Sequence, residues 1–81
     1  MTIPLYGFVE GDTLGLLVLA QADMKLSDVV AKLADAASAR VDPRGPWQLV
    51  ARDRVLPLEK TVAETELDAF ERVDLRRTSR Q

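Results

Sequence analysis

Residues Pro4 to Gln21 read PLYGFVEGDTLGLLVLAQ, two apolar runs broken by Glu10-Gly11-Asp12-Thr13. A glycine-containing polar cluster between two apolar runs predicts a β-hairpin. Loops of two or four residues give the same pairing, with Pro4 opposite Leu19, Tyr6 opposite Leu17 and Phe8 opposite Gly15. One face of the ribbon then carries Ile3, Leu5, Val9, Leu14, Leu16, Val18 and Ala20. The other carries Pro4, Tyr6, Phe8, Leu17 and Leu19. An antiparallel sheet with one wet face alternates apolar and polar residues. This ribbon is apolar on both faces and so asks for two covers.

The sequence beyond the hairpin supplies one of them. Ala22-Asp23-Met24-Lys25 is a connection, and Leu26-Ser27-Asp28 reads as a helix start with Ser27 as N-cap, Leu26 as staple and Asp28 complementing the helix dipole. From Asp28 to about Ala39, apolar residues at 26, 29, 30, 33, 34 and 37 follow one helical face. The stripe is rich in alanine, and Gly7 lies on the hairpin's inner face, so helix and sheet can approach closely. Arg40 to Pro46 (RVDPRGP) is a stiff loop that ends the helix. Trp47 to Ala51 is a strand, Arg52-Asp53-Arg54 a turn and Val55 to Leu58 a short extended piece. Thr61 to Glu64 is a helical turn leading through Leu67 to a bend at Asp68-Ala69-Phe70. Arg72 to Arg76 alternates as a last strand. The order ββαβ(β)β predicts an α+β protein of the β-grasp (ubiquitin-like) fold, a mixed sheet of four to five strands with one main helix packed on one face. The expected domain is 1–76, followed by a frayed tail at 77–81.

Composition narrows function by exclusion. The 81 residues hold no histidine and no cysteine, with 11 basic and 13 acidic side chains giving a net charge of −2. The usual general base, the usual nucleophile and the best transition-metal ligands are missing, so no catalytic residue, metal or cofactor is expected. Mixed charge gives no argument for nucleic acid. The longest apolar run, Leu14 to Ala20, is too short to span a bilayer. Met1-Thr2-Ile3-Pro4 lacks the basic start of a signal peptide, which with the absence of cysteine leads to a cytoplasmic expectation.

Several segments carry a family resemblance. Arg40-Val41-Asp42-Pro43-Arg44, the strand after it, and Thr61-Val62-Ala63-Glu64 leading to Val73-Asp74-Leu75 resemble the small B (gamma) subunit of the toluene monooxygenase system. Pro4, the Glu10-x-Asp12-x-Leu14 turn, and Asp28 with Val30-Ala31 (Lys32 following one place early) fall at similar spacings. The resemblance covers nearly the whole chain. It implies a ubiquitin-like, non-catalytic subunit of a bacterial di-iron hydrocarbon monooxygenase, packed on a larger subunit that owns the iron ligands. A second group is also similar, the small ubiquitin-like protein of type VII secretion systems, through Pro43-Arg44-Gly45-Pro46-Trp47 and Arg72-Val73-Asp74-Leu75. That resemblance implies an adaptor role. The monooxygenase subunit is the closer fit because its resemblance includes the hairpin.

With one helix to cover one face, Tyr6, Phe8, Leu17 and Leu19 are expected to remain open and to form the surface that meets the larger subunit. Each forgoes ~1.5–3 kcal/mol of burial while it stays wet. The alternative is that a loop covers them, or that a bulge at Gly15 shifts the register. Arg44 is the expected charged contact outside the hairpin. Glu10 and Asp12 read as a solvated turn, the arginines of 72–80 as a solvated or docking rim, and Trp47 as a cap on one end of the core. The ending Arg77-Thr78-Ser79-Arg80-Gln81 has no diglycine and no glycine follows Gly45, so covalent conjugation is not expected.

Overall fold

The computed structural model describes residues 2–78. Its elements are β1 (Thr2–Val9), β2 (Gly15–Gln21), α1 (Leu26–Ala36), β3 (Trp47–Ala51), β4 (Arg54–Leu56) and β5 (Glu71–Arg77). They form one five-stranded sheet in the order β2-β1-β5-β3-β4, with β1 and β5 parallel at its centre. The other pairings are antiparallel. This is the β-grasp arrangement that the order of elements predicts.

The hairpin has the expected register: Pro4 pairs with Leu19, Tyr6 with Leu17 and Phe8 with Gly15. Pairing runs unbroken from Phe8–Gly15 to Thr2–Gln21, so no bulge reverses the faces. Gly15 has a steric role instead, since a Cβ there would lie 2.9 Å from the Phe8 ring. On the inner face Leu5, Val9, Val18 and Ala20 are buried, together with Leu49, Val73 and Leu75 of the later strands. Leu14, placed on that face by alternation, is half exposed because it falls in the turn.

Against this face lies α1, with Leu26, Val29, Val30, Leu33 and Ala34 buried and Ala37 completing the stripe just past its end. The close approach is real at Gly7, where a Cβ would come within 2.3 Å of a Leu33 methyl. The helix begins one residue before the expected cap. Lys25 stands at the N-cap with no side-chain bond, and Ser27 lies inside the first turn. The reason is tertiary. The orphan N–H groups of Leu26 and Ser27 donate to the carbonyls of Lys60 and Leu58, so the 57–61 segment does the work of a capping side chain. The helix also stops at Ala36 rather than Ala39, closing in turns that carry Arg40 and Val41 back onto the Ala37 carbonyl.

The β3–β4 turn places Arg52 and Asp53 at φ of 54° and 62°, the paired left-handed geometry of a tight hairpin. Thr61 and Glu64 form a reciprocal capping box: the Glu64 carboxylate accepts from the Thr61 N–H and the Thr61 hydroxyl from the Glu64 N–H. At the C-terminal end β5 includes Arg77, and the Thr78 N–H donates to the Pro46 carbonyl. The rest of the expected frayed tail, 79–81, lies outside the described residues.

Candidate functional site

The outer face of the hairpin is where the sequence places the docking residues, and three of the four stand open there. Tyr6 is 45% exposed, and Leu17 and Leu19 are 56% exposed each. Their neighbours follow from the register, because Tyr6 faces Leu17 across the ribbon and Leu19 faces Pro4. Phe8 differs. It is half-buried, because the Arg72 guanidinium lies over its ring at 4.2 Å from the centroid. Arg72 can reach there because β5 runs beside β1, pairing Phe8 with Asp74, and Asp74 holds the guanidinium in place. A cation over a ring face contributes roughly 0.5–1 kcal/mol at an exposed site. Phe8 is thus the floor of the patch under a charged lid.

The face has a fifth member that the strand periodicity does not mark. Phe70, in the bend before β5, is 57% exposed and packs on Tyr6 with ring centroids 5.8 Å apart. Its backbone sits at φ 64°, a conformation that is an outlier for a bulky residue. The N–H of Phe70 donates to the Pro4 carbonyl, which fixes the bend to the start of β1. Strain of this kind persists only where the surroundings enforce it, and it concentrates at functional positions. The one signal in the sequence is an aromatic residue in a polar bend, DAFER, where no core needs it.

Tyr6 faces Leu17 across the ribbon and packs on Phe70, so the exposed side chains of Tyr6, Leu17, Leu19 and Phe70 form one apolar patch, beside Arg72 and Asp74 of β5. A contiguous patch rimmed by polar residues marks an interaction surface. Arg44 does not belong to it. It sits at the other end of β5, where its carbonyl accepts from Arg77, and its own guanidinium is engaged with Asp42 at 2.8–3.2 Å.

The remaining candidates are structural. Asp12 is clasped by Arg40 and Glu10 accepts the Arg77 N–H, so the turn's two carboxylates serve the fold. Among the described residues no three carboxylates converge as a metal site would require. Trp47 packs against the core edge, donates to the Pro43 carbonyl at 2.9 Å and lies under the Arg77 guanidinium. Among the described residues no helix is long and apolar enough to cross a membrane. Ion pairing lowers the pKa of three carboxyl groups. The Arg40 bonds hold Asp12 below the usual carboxylate range, Arg44 does the same to Asp42, and Arg52 to Glu71.

A family model described as Toluene-4-monooxygenase system protein B (TmoB) matches residues 2–76. Among solved structures, a chain of the toluene 4 monooxygenase HD complex with the inhibitor 4-bromobenzoate is 26% identical. It superposes with a TM-score of 0.88 over 96% of this chain and 100% of its own length. Ubiquitin of Caldiarchaeum subterraneum is 12% identical, with a TM-score of 0.80 over 99% and 98% of the two chains. The ubiquitin-like domain of Plasmodium falciparum Dsk2 is 14% identical, with a TM-score of 0.79 over 96% and 100%. These last two speak to the fold alone. No curated protein matches the chain.

Proposed function

The chain belongs to the Toluene-4-monooxygenase system protein B (TmoB) family, and from that premise we propose how it serves as an accessory subunit of a multicomponent monooxygenase. It binds a larger, di-iron hydroxylase subunit through the outer face of its hairpin and takes no part in the chemistry. The observation that carries this reading is the patch of Tyr6, Leu17, Leu19 and Phe70, open to solvent on the sheet face that α1 does not cover. A chain with neither histidine nor cysteine has little to offer a reacting oxygen species. It has a preformed apolar surface to offer a protein. Packing this face on a partner recovers ~1.5–3 kcal/mol for each large side chain buried. The chain works in the cytoplasm.

The test is co-expression with the large subunit that carries paired Glu-x-x-His motifs, from the same organism. Leu17→Asp is expected to leave the free chain folded, with an unchanged melting temperature, and to abolish co-purification. Unfolding of the isolated variant would mean that Leu17 is core. Retained co-purification would move the interface elsewhere.

A further inference from the structure

The two edges of the sheet are built differently. At one edge β4 is three residues long, begins with Arg54 and runs into Pro57. Natural sheets stop stray pairing with such devices: short edge strands, charge and proline. At the other edge β2 spans seven residues, Gly15–Gln21, with the sequence GLLVLAQ. It contains no charge and no proline, and its pairing with β1 has no bulge.

Main-chain bonds elsewhere reveal which of its groups point outward. The Glu10 N–H donates to Leu75 and the Pro4 carbonyl accepts from Phe70, so the even-numbered residues of β1 turn their polar groups toward β5. Successive residues of a strand alternate in direction. The odd ones, Ile3, Leu5 and Gly7, therefore face β2 and bond their partners Ala20, Val18 and Leu16. That leaves the N–H and C=O groups of Gly15, Leu17 and Leu19 directed away from the sheet. Among the described residues no loop or side chain bonds them. The same Leu17 and Leu19 expose their side chains on the outer face.

Resting on the docking reading above, we propose that β2 accepts an extended segment of the larger subunit as a sixth strand of the sheet. A row of donors and acceptors recurring every second residue is matched by another extended backbone, and by little else. The incoming segment carries apolar residues at alternate positions, which lie beside Leu17 and Leu19 and continue the patch toward Tyr6 and Phe70. Side chains supply the apolar contact, and the main chain sets the register.

Backbone ester substitution tests this without altering any side chain. Leu17 or Leu19 is replaced by its α-hydroxy acid, which removes one outward N–H, and Val18 by its own as a control. Each Leu ester is expected to weaken binding to the purified large subunit about 3- to 10-fold and to lower the free chain's melting temperature less than the Val18 ester does, because it weakens the inward carbonyl of Leu16 or Val18 without removing a bond to β1. The Val18 ester, which removes a bond to β1, is expected to lower that temperature. Leu esters that bind like the unmodified chain, while Leu17→Asp does not bind, would overturn strand addition and leave face docking standing. If Leu17→Asp also binds, the docking face itself is wrong. Sedimentation showing a dimer of this chain that the Leu esters dissociate would assign the edge to a second copy and overturn the proposal.

Discussion

Arg40 grips Asp12 at two points, Nε to Oδ1 and Nη2 to Oδ2, each at 2.9 Å. The pair joins the hairpin turn to the chain just past α1. Only 1% of the Asp12 side chain is exposed, against 37% for Arg40. Removing the arginine would strand a covered carboxylate, and breaking such a pair costs more than its formation gains. Arg40→Leu should therefore lower the melting temperature well beyond the effect of Arg44→Ala, whose pair with Asp42 is mostly in solvent. Paired thermal melts of the two variants check this.

Acid should loosen the fold through named carboxylates. Asp12, Asp42, Glu64 and Glu71 all have lowered pKa values in the folded chain, held down first by Arg40, Arg44, the Thr61 N–H and Arg52 respectively. A lowered folded value contributes stability that is complete above the ordinary values of 3.8 for Asp and 4.5 for Glu. It is lost as the pH falls through the lower folded values. Urea midpoints should stay level from pH 7 to about pH 5 and then decline. Glu71→Gln should start from a lower midpoint at pH 7 and decline less steeply below it.

Gly7→Ala is expected to destabilise by about 1–3 kcal/mol, the usual cost of overpacking a filled core. The added methyl would meet the side chain of Leu33, which is fully buried, so Leu33 has to shift within the core. Chemical denaturation measures the loss. Adding Leu33→Ala to Gly7→Ala should recover part of it, because the clash is removed even as a cavity opens.

Phe70 should separate binding from folding. Phe70→Gly relieves a left-handed backbone costing ~1–2 kcal/mol. It gives up a ring contact of ~0.5–1.5 kcal/mol and some chain entropy, so stability should change by less than about 1 kcal/mol. Affinity for the large subunit should fall at least tenfold. A variant that melts much lower and binds normally would make Phe70 a structural residue.

Much of this protein was written in one dimension. The hairpin register, the helical stripe from Leu26 to Ala37 and the close approach at Gly7 are local or periodic features, and periodicity survives without a third dimension. They fix the α+β order, and with it a sheet that has one helix to cover it. Three-dimensional packing decided the rest. Ser27 gave up its cap because the carbonyls of Leu58 and Lys60, some thirty residues on, reach the helix start first. Phe8 was roofed because Arg72 arrives from a strand at the far end of the chain. Phe70 joined the patch because the Pro4 carbonyl holds its bend in place. Alternation along a strand says which faces are apolar. Which of those faces stays wet depends on what the distant parts of the chain bring alongside, and that is a matter of long-range pairing.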